Sequence, residues 1–159
     1  MSAVHDTTRA APHVTLPCPV CGRWNRVAAD RITDGPKCGV CAAPLDLAHP
    51  IALTDATFDR VVRETTLPIL VDFYADWCAP CRMMAPAVNE LARTSAGEVL
   101  VAKLDTEAAQ QTASRFQIRG IPTVIVFSGG RAVTQQTGAV RLPELESMLA
   151  KSGVATGPG

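Results

Sequence analysis

An apolar run that ends on two cysteines sets the terms for this chain. Ile69-Leu70-Val71-Asp72-Phe73-Tyr74 has large apolar residues at both odd and even positions, the pattern of a central strand covered on both faces. Trp77-Cys78-Ala79-Pro80-Cys81 follows, and from Pro80 to about Thr94 the residues Met84, Val88 and Leu91 recur at helical spacing. Pro86 falls inside that pattern and predicts a kink. The pair Cys78/Cys81 therefore sits where a buried strand hands over to a helix.

That position has chemical consequences. Unpaired amide N–H groups and the helix dipole at a helix start favour a thiolate, so Cys78 is expected to be the low-pKa, attacking sulfur. Cys81, one turn further in and expected to be less exposed, resolves the mixed disulfide. A substrate disulfide becomes a dithiol while Cys78 and Cys81 become a disulfide. The rival reading, a third metal half-site, lacks a fourth pair to complete it.

All six cysteines of the 159-residue chain fall in pairs with two residues between the members: Cys18/Cys21, Cys38/Cys41 and Cys78/Cys81. The first two pairs are sixteen residues apart, a spacing that fits a four-thiolate zinc site. Four protein ligands fill a tetrahedron, so a single structural zinc is the expectation for Cys18, Cys21, Cys38 and Cys41. Free or disulfide-forming cysteines are the alternative. Residues 16–43 are rich in Pro and Gly and short of aliphatics, so bound metal is expected to stabilise this module. Gly22 and Gly39 are expected to help backbone amides approach the sulfurs. Arg23, Trp24, Arg26 and Arg31 read either as a nucleic-acid contact or as a solvated face. With 15 Lys plus Arg against 15 Asp plus Glu, the solvated face is preferred and no nucleic-acid partner is expected.

No run of about 18 apolar residues marks a membrane span, and Met1 to Val14 has no secretory apolar core. A cytoplasmic location is the expectation, and there paired cysteines point to metal or redox work. Hydrophobic residues at 47% permit a real core.

Along the rest of the chain, Met1 to Thr15 reads as frayed and residues 44–50 as a linker. Ile51 to Leu53 reads as a strand, and Thr54 as the cap of a helix over 55–64 with Phe58, Val61 and Val62 on one face. A strand over 99–104, a helix over 106–116 and a strand over 123–127 follow. Ser128-Gly129-Gly130 turns the chain into a strand over 132–137. Pro143 opens a last helix, with Leu142, Leu145, Met148 and Leu149 facing inward. The tail from Ser152 reads as disordered. The order predicts an α/β fold, a mixed sheet with helices on both faces. Its two units are a ribbon over 16–43 and a main domain over 51–151.

Val71 to Cys81 resembles the active-site segment of thioredoxins, Ile118-Arg119-Gly120-Ile121-Pro122-Thr123 resembles their cis-proline segment, and Gly138-Ala139 matches their glycine near the active site. With a zinc ribbon in front, the chain resembles the zinc-containing second class of bacterial thioredoxin. The resemblance implies the thioredoxin fold, with Asp72 as the buried carboxylate that moves a proton to and from Cys81, and with Lys103 beside it. Burial among apolar neighbours supports that role, since it raises a carboxyl pKa; a solvated edge position is the alternative. The resemblance also implies a cis bond between Ile121 and Pro122 opposite the cysteines, and pairing of the Ile121 backbone with an extended substrate strand. Trp77, Ala79, Pro80, Gly138 and Ala139 would shape a shallow substrate surface. Two positions depart from the family: Ala79 stands where glycine is commonest, and Tyr74 where tryptophan is frequent.

The expected function is reduction of protein disulfides by a monomer. The resemblance implies an NADPH-dependent flavoprotein, thioredoxin reductase, as electron donor. The chain shows no nucleotide-binding glycine motif of its own, and no bound organic cofactor is expected. An oxidase or isomerase role, and a redox-sensing module that releases zinc, are the rivals.

Overall fold

The computed structural model describes residues 11–153. The expectations for residues 1–10 and 154–159 lie outside the described residues. Two sheets are present: a two-stranded ribbon, β1 (His13–Pro17) with β2 (Trp24–Ala28), and a five-stranded sheet. A 3-10 turn over Ala29–Asp34 follows β2. The large sheet contains β3 (Ile51–Leu53), β4 (Ile69–Tyr74), β5 (Leu100–Asp105), β6 (Thr123–Ser128) and β7 (Arg131–Thr137). The helices are α1 (Phe58–Glu64), α2 (Ala79–Thr94), α3 (Gln110–Arg115) and α4 (Leu142–Lys151).

The order across the large sheet is β3-β5-β4-β6-β7. β5 pairs parallel with β3 and β4, whereas β6 pairs antiparallel with β4 and β7. β4 is thus the middle strand, as its apolar run requires. Ile69, Val71 and Phe73 face one core together with Phe58, Val61 and Phe127. Leu70 faces the other, with Met84, Val88 and Leu91 of α2 and Leu145 and Leu149 of α4. Alternation along the strand puts Asp72 on the α2 side. The hairpin between β6 and β7 turns through Gly129 and Gly130, both at positive φ, as a tight hairpin demands.

Several boundaries differ from the expectations, each for a local reason. His13 to Thr15 are strand and buried, because residues from another part of the chain complete them. The His13 N–H donates to Thr66 Oγ1 at 2.8 Å and the Thr15 N–H to Thr65 Oγ1 at 3.0 Å. α1 starts at Phe58, since Thr54 to Thr57 form a turn in which the Thr54 N–H donates to Thr57 Oγ1 at 3.0 Å. The Asp55 carboxylate instead accepts from the Thr112 hydroxyl at 2.7 Å and the Thr112 N–H at 2.8 Å. The Thr112 hydroxyl, the largest influence, holds the Asp55 carboxyl below its usual range. α3 is shorter than expected because Thr106 to Ala108 turn outside the helix, with the Glu107 N–H bonded to Asp105 Oδ1 at 2.9 Å.

The ribbon does not stand apart. Val14, Leu16, Val27 and Ile32 are buried in the same cluster as Leu53, Phe58 and Val61. The segment read as a linker contributes too: Leu45 and Leu47 are 2% and 7% exposed within that cluster. The ribbon lacks aliphatics for a core of its own and completes the core of its neighbour. The Arg60 guanidinium lies 4.3 Å over the Trp24 ring at this junction, a cation–π contact.

Candidate functional site: a disulfide at a helix start and a four-thiolate cluster

Cys78 is the N-cap of α2, with extended φ/ψ of −87° and 110°. Its sulfur accepts from the Cys81 N–H at 3.1 Å. Proline in the first turn costs no hydrogen bond there, so Ala79-Pro80 can enter the helix directly. Cys78 and Cys81 are joined as a disulfide, with Cα atoms 5.2 Å apart. Cys78 Sγ lies 3.8 Å from the carbonyl oxygen of Ile121. The expected contrast in exposure is absent: Cys78 is 3% and Cys81 4% exposed. The sulfur–sulfur bond holds both inward, one against the Ile121 carbonyl and the other on the buried face of α2.

The Ile121–Pro122 peptide is cis, and Pro122 is buried. The Gly138 N–H donates to the Pro122 carbonyl at 2.8 Å. Gly138 has φ +102°, a conformation that favours glycine. That bond brings Gly138 and the exposed Ala139 to the cis-proline segment. On the other flank, Trp77 is 65% exposed and its indole N–H donates to a Glu107 carboxylate oxygen. Sequence reasoning did not single out Glu107. It lies thirty residues from Trp77, and no spacing rule connects them.

Asp72 is 5% exposed, and its Oδ1 has no hydrogen-bond partner among the described residues. Burial pushes its carboxyl up to about 7, while the charge of Lys103 acts in the opposite direction. Lys103 is paired with Asp72 across the β4–β5 ladder, yet it is exposed and its Nζ lies 5.2 Å over the Tyr74 ring. Burial, followed by Asp105, raises the Tyr74 hydroxyl pKa. Asp72 and Cys81 therefore occupy the same side of the sheet, in a region able to hold a proton near neutrality.

The other four cysteines converge separately. The sulfurs of Cys18, Cys21, Cys38 and Cys41 all lie within 4.8 Å of one another. Cys18 to Cys41 is 3.6 Å and Cys21 to Cys38 is 3.7 Å. A tetrahedral zinc with Zn–S bonds of about 2.3 Å has sulfur–sulfur edges of about 3.8 Å, so the donor set fits zinc. Backbone amides aim at the two buried sulfurs: Val20 and Cys21 N–H at Cys18 Sγ (3.3 and 3.5 Å), Val40 N–H at Cys38 Sγ (3.4 Å). The Cys21 amide is the main influence lowering the Cys18 thiol. The Cys41 and Val40 amides and the Asn25 side chain bring Cys38 down to about 6. Gly22 turns the chain at φ +79° and bonds to the Cys18 carbonyl, while the Gly39 N–H donates to Asn25 Oδ1 at 3.0 Å.

Comparison with known proteins follows the same division. The family model described as Thioredoxin matches residues 49–151, and the model described as Thioredoxin 2, N-terminal matches residues 17–43. Thioredoxin C-3 of Corynebacterium nephridii is 36% identical over 132 residues, covering 83% of this chain and 90% of the relative. Thioredoxin 1 of Nostoc sp. is 44% identical over 99 residues, covering 62% of this chain and 92% of the relative. A mutant thioredoxin from Halobacterium salinarum NRC-1 superposes with a TM-score of 0.62 at 33% identity, covering 70% of this chain and 96% of that chain. The sheet order, the disulfide at the start of α2 and these matches agree, and the chain belongs to the thioredoxin family of thiol-disulfide oxidoreductases.

Proposed function

We propose that this chain reduces disulfides in client proteins in the cytoplasm as a monomer, cycling between the Cys78/Cys81 dithiol and the disulfide described above. The Cys78 thiolate attacks one sulfur of the client disulfide, and the other leaves as a thiolate. Cys81 then attacks Cys78 Sγ in the mixed disulfide. The second client sulfur leaves, and the client carries away two electrons and becomes a dithiol. Asp72 takes the proton of Cys81 as that thiol attacks. The observation that carries this reading is the buried Asp72 carboxyl, raised to about 7 and unpaired at Oδ1, on the α2 side of the sheet where Cys81 is buried. A proton acceptor works best when its pKa is near the operating pH. Lys103 opposes the rise in the Asp72 pKa and so tunes it.

Trp77, Ala79, Pro80, Ile121, Pro122, Gly138 and Ala139 form the surface for the client. Electrons return to Cys78–Cys81 from an NADPH-dependent flavoprotein, thioredoxin reductase. Cys18, Cys21, Cys38 and Cys41 hold one zinc ion. Zinc there supplies a cross-link and no reacting group, because four sulfurs fill its shell. No helix among the described residues is long and apolar enough to cross a membrane.

The test compares wild type with Cys78→Ser for disulfide turnover and for zinc content. Turnover is expected to vanish with zinc retained. Undiminished turnover, or zinc lost together with it, would overturn the division of labour between the two cysteine sites.

A further inference from the structure

The ribbon has one strand edge in use and one free. β1 directs the backbone of His13 and Thr15 outward to Thr65 and Thr66, so Val14 and Leu16 bond inward to their partners Val27 and Asn25 on β2. In an antiparallel pair this alternation turns the backbone groups of Trp24, Arg26 and Ala28 to the outer side of β2. No further strand covers that side in the two-stranded sheet. A groove of about 510 Å³ runs there, between Asn25–Ala28 and Gly35–Lys37. Its charged lining is Arg26, Arg31 and Lys37, all exposed, against the single carboxylate of Asp34. Asp34 pairs with Arg31 at 3.5 Å, which leaves Arg26 and Lys37 in excess.

We infer that this groove takes an extended acidic segment of a partner protein, added as a third strand beside β2. The Arg26 N–H and C=O supply ladder bonds, and the partner's carboxylates meet Arg26 and Lys37. Main-chain pairing of this kind gives affinity, and side-chain charge gives selectivity. A nucleic acid fits less well. The chain as a whole carries no basic excess, and the ribbon's one tryptophan, Trp24, is half-buried with Arg60 over its ring, so it offers no free face for a base. The groove is built from the ribbon alone and does not involve the redox cysteines, so the inference stands independently of the proposed mechanism.

The test is fluorescence anisotropy with the full zinc-loaded chain and short labelled peptides alternating glutamate with valine. Controls are the lysine–valine counterpart, a glutamate–valine peptide N-methylated at alternate residues, and single-stranded oligothymidylate. The acidic peptide is expected to bind. Its binding should weaken about tenfold in the double variant Arg26→Gln, Lys37→Gln and should fall away at ~1 M salt, where the screening length is ~3 Å. Zinc content and reduction of a small disulfide should stay unchanged in that variant. Equal binding of the lysine peptide, indifference to N-methylation, no loss in the double variant, or tighter binding of the oligonucleotide would each overturn the inference.

Discussion

Asp72 and Lys103 stand opposite each other in the β4–β5 ladder, yet the carboxyl is buried and the amine lies in solvent. The charge that would stabilise an ionised Asp72 is thus kept at the surface, and burial dominates. With the folded carboxyl raised to about 7 and an unfolded value of about 3.9, the neutral group stabilises the fold. That contribution is fully present below about pH 4 and is lost as pH rises through about 7. The unfolded chain sheds this proton first, so stability falls by about 1.4 kcal/mol per pH unit across the window, or ~4 kcal/mol in all. Urea unfolding of the oxidised protein from pH 4 to 9 should show this decline in wild type and its loss in Asp72→Asn, which should be the more stable protein at high pH. Parallel pH profiles of the two proteins would contradict the assignment. The same variant should slow disulfide turnover by at least about tenfold if Asp72 accepts the Cys81 proton.

The two cysteine knuckles, Cys18-Pro19-Val20-Cys21-Gly22 and Cys38-Gly39-Val40-Cys41-Ala42, differ at two positions, and one of these is the left-handed residue after the second cysteine. Gly22 follows Cys21 at φ +79°, and Ala42 follows Cys41 at φ +63°. Each N–H bonds at 3.0 Å to the carbonyl of the first cysteine of its pair. The left-handed conformation is free for glycine and costs an alanine about 1 kcal/mol. Gly22→Ala should therefore destabilise the chain by about that amount, and Ala42→Gly should stabilise it by somewhat less, because glycine loosens the unfolded chain. Thermal unfolding of the zinc-loaded proteins checks both signs.

Gly97, between α2 and β5, touches the ribbon. A Cβ built on it would lie 3.2 Å from the Ala29 carbonyl oxygen, and its φ is +91°. Both facts penalise a side chain, so Gly97→Ala should cost about 1–2 kcal/mol. Because the close neighbour belongs to the ribbon, the same variant should speed hydrogen exchange in β1 and β2 more than in β4. Uniform exchange would show that Gly97 acts only locally.

Removing zinc should weaken the whole chain. Val14, Leu16, Ile32, Leu45 and Leu47 share one cluster with Leu53, Val61 and Phe73, so a loosened ribbon uncovers the core of the main domain. A chelator, or Cys38→Ser, should lower the melting temperature by at least about 10 °C, equivalent to a few kcal/mol for a chain of this size, within one cooperative transition. Two separate transitions, with the upper one unmoved, would mean that the ribbon and the main domain unfold independently.

Much of this was legible in the sequence. The run Ile69 to Tyr74 coincides with its strand, because a six-residue run that is apolar on both faces and carries β-branched and aromatic residues suits a central strand better than a helix. The sixteen-residue gap between Cys21 and Cys38 pointed to the four-sulfur cluster, since only a few turn geometries deliver two thiolates from one short loop. The contacts of distant residues were not legible. Thr65 and Thr66 complete β1 from some fifty positions away, so His13 to Thr15 looked like loose chain. Leu45 and Leu47 are separated by one aspartate, too short a pattern to identify a buried segment. The burial of Cys78 follows from its bond to Cys81 and its contact with Ile121, and neither sets a pattern that local spacing reveals.

The placement of Leu16, Leu45 and Leu47 in a shared core also bears on the order of events at the ribosome. Synthesis delivers the ribbon first, while Leu53, Val61 and Phe73 are still to come. During that interval the leucines have no wall to pack against. All four sulfurs lie at or before Cys41, ahead of every strand of the large sheet, so metal capture can draw the two knuckles together before the neighbouring domain exists. The ribbon then acts as a ready-made template for the strands and helix that follow, and a chain made without zinc must hold those leucines in water until the main domain is complete.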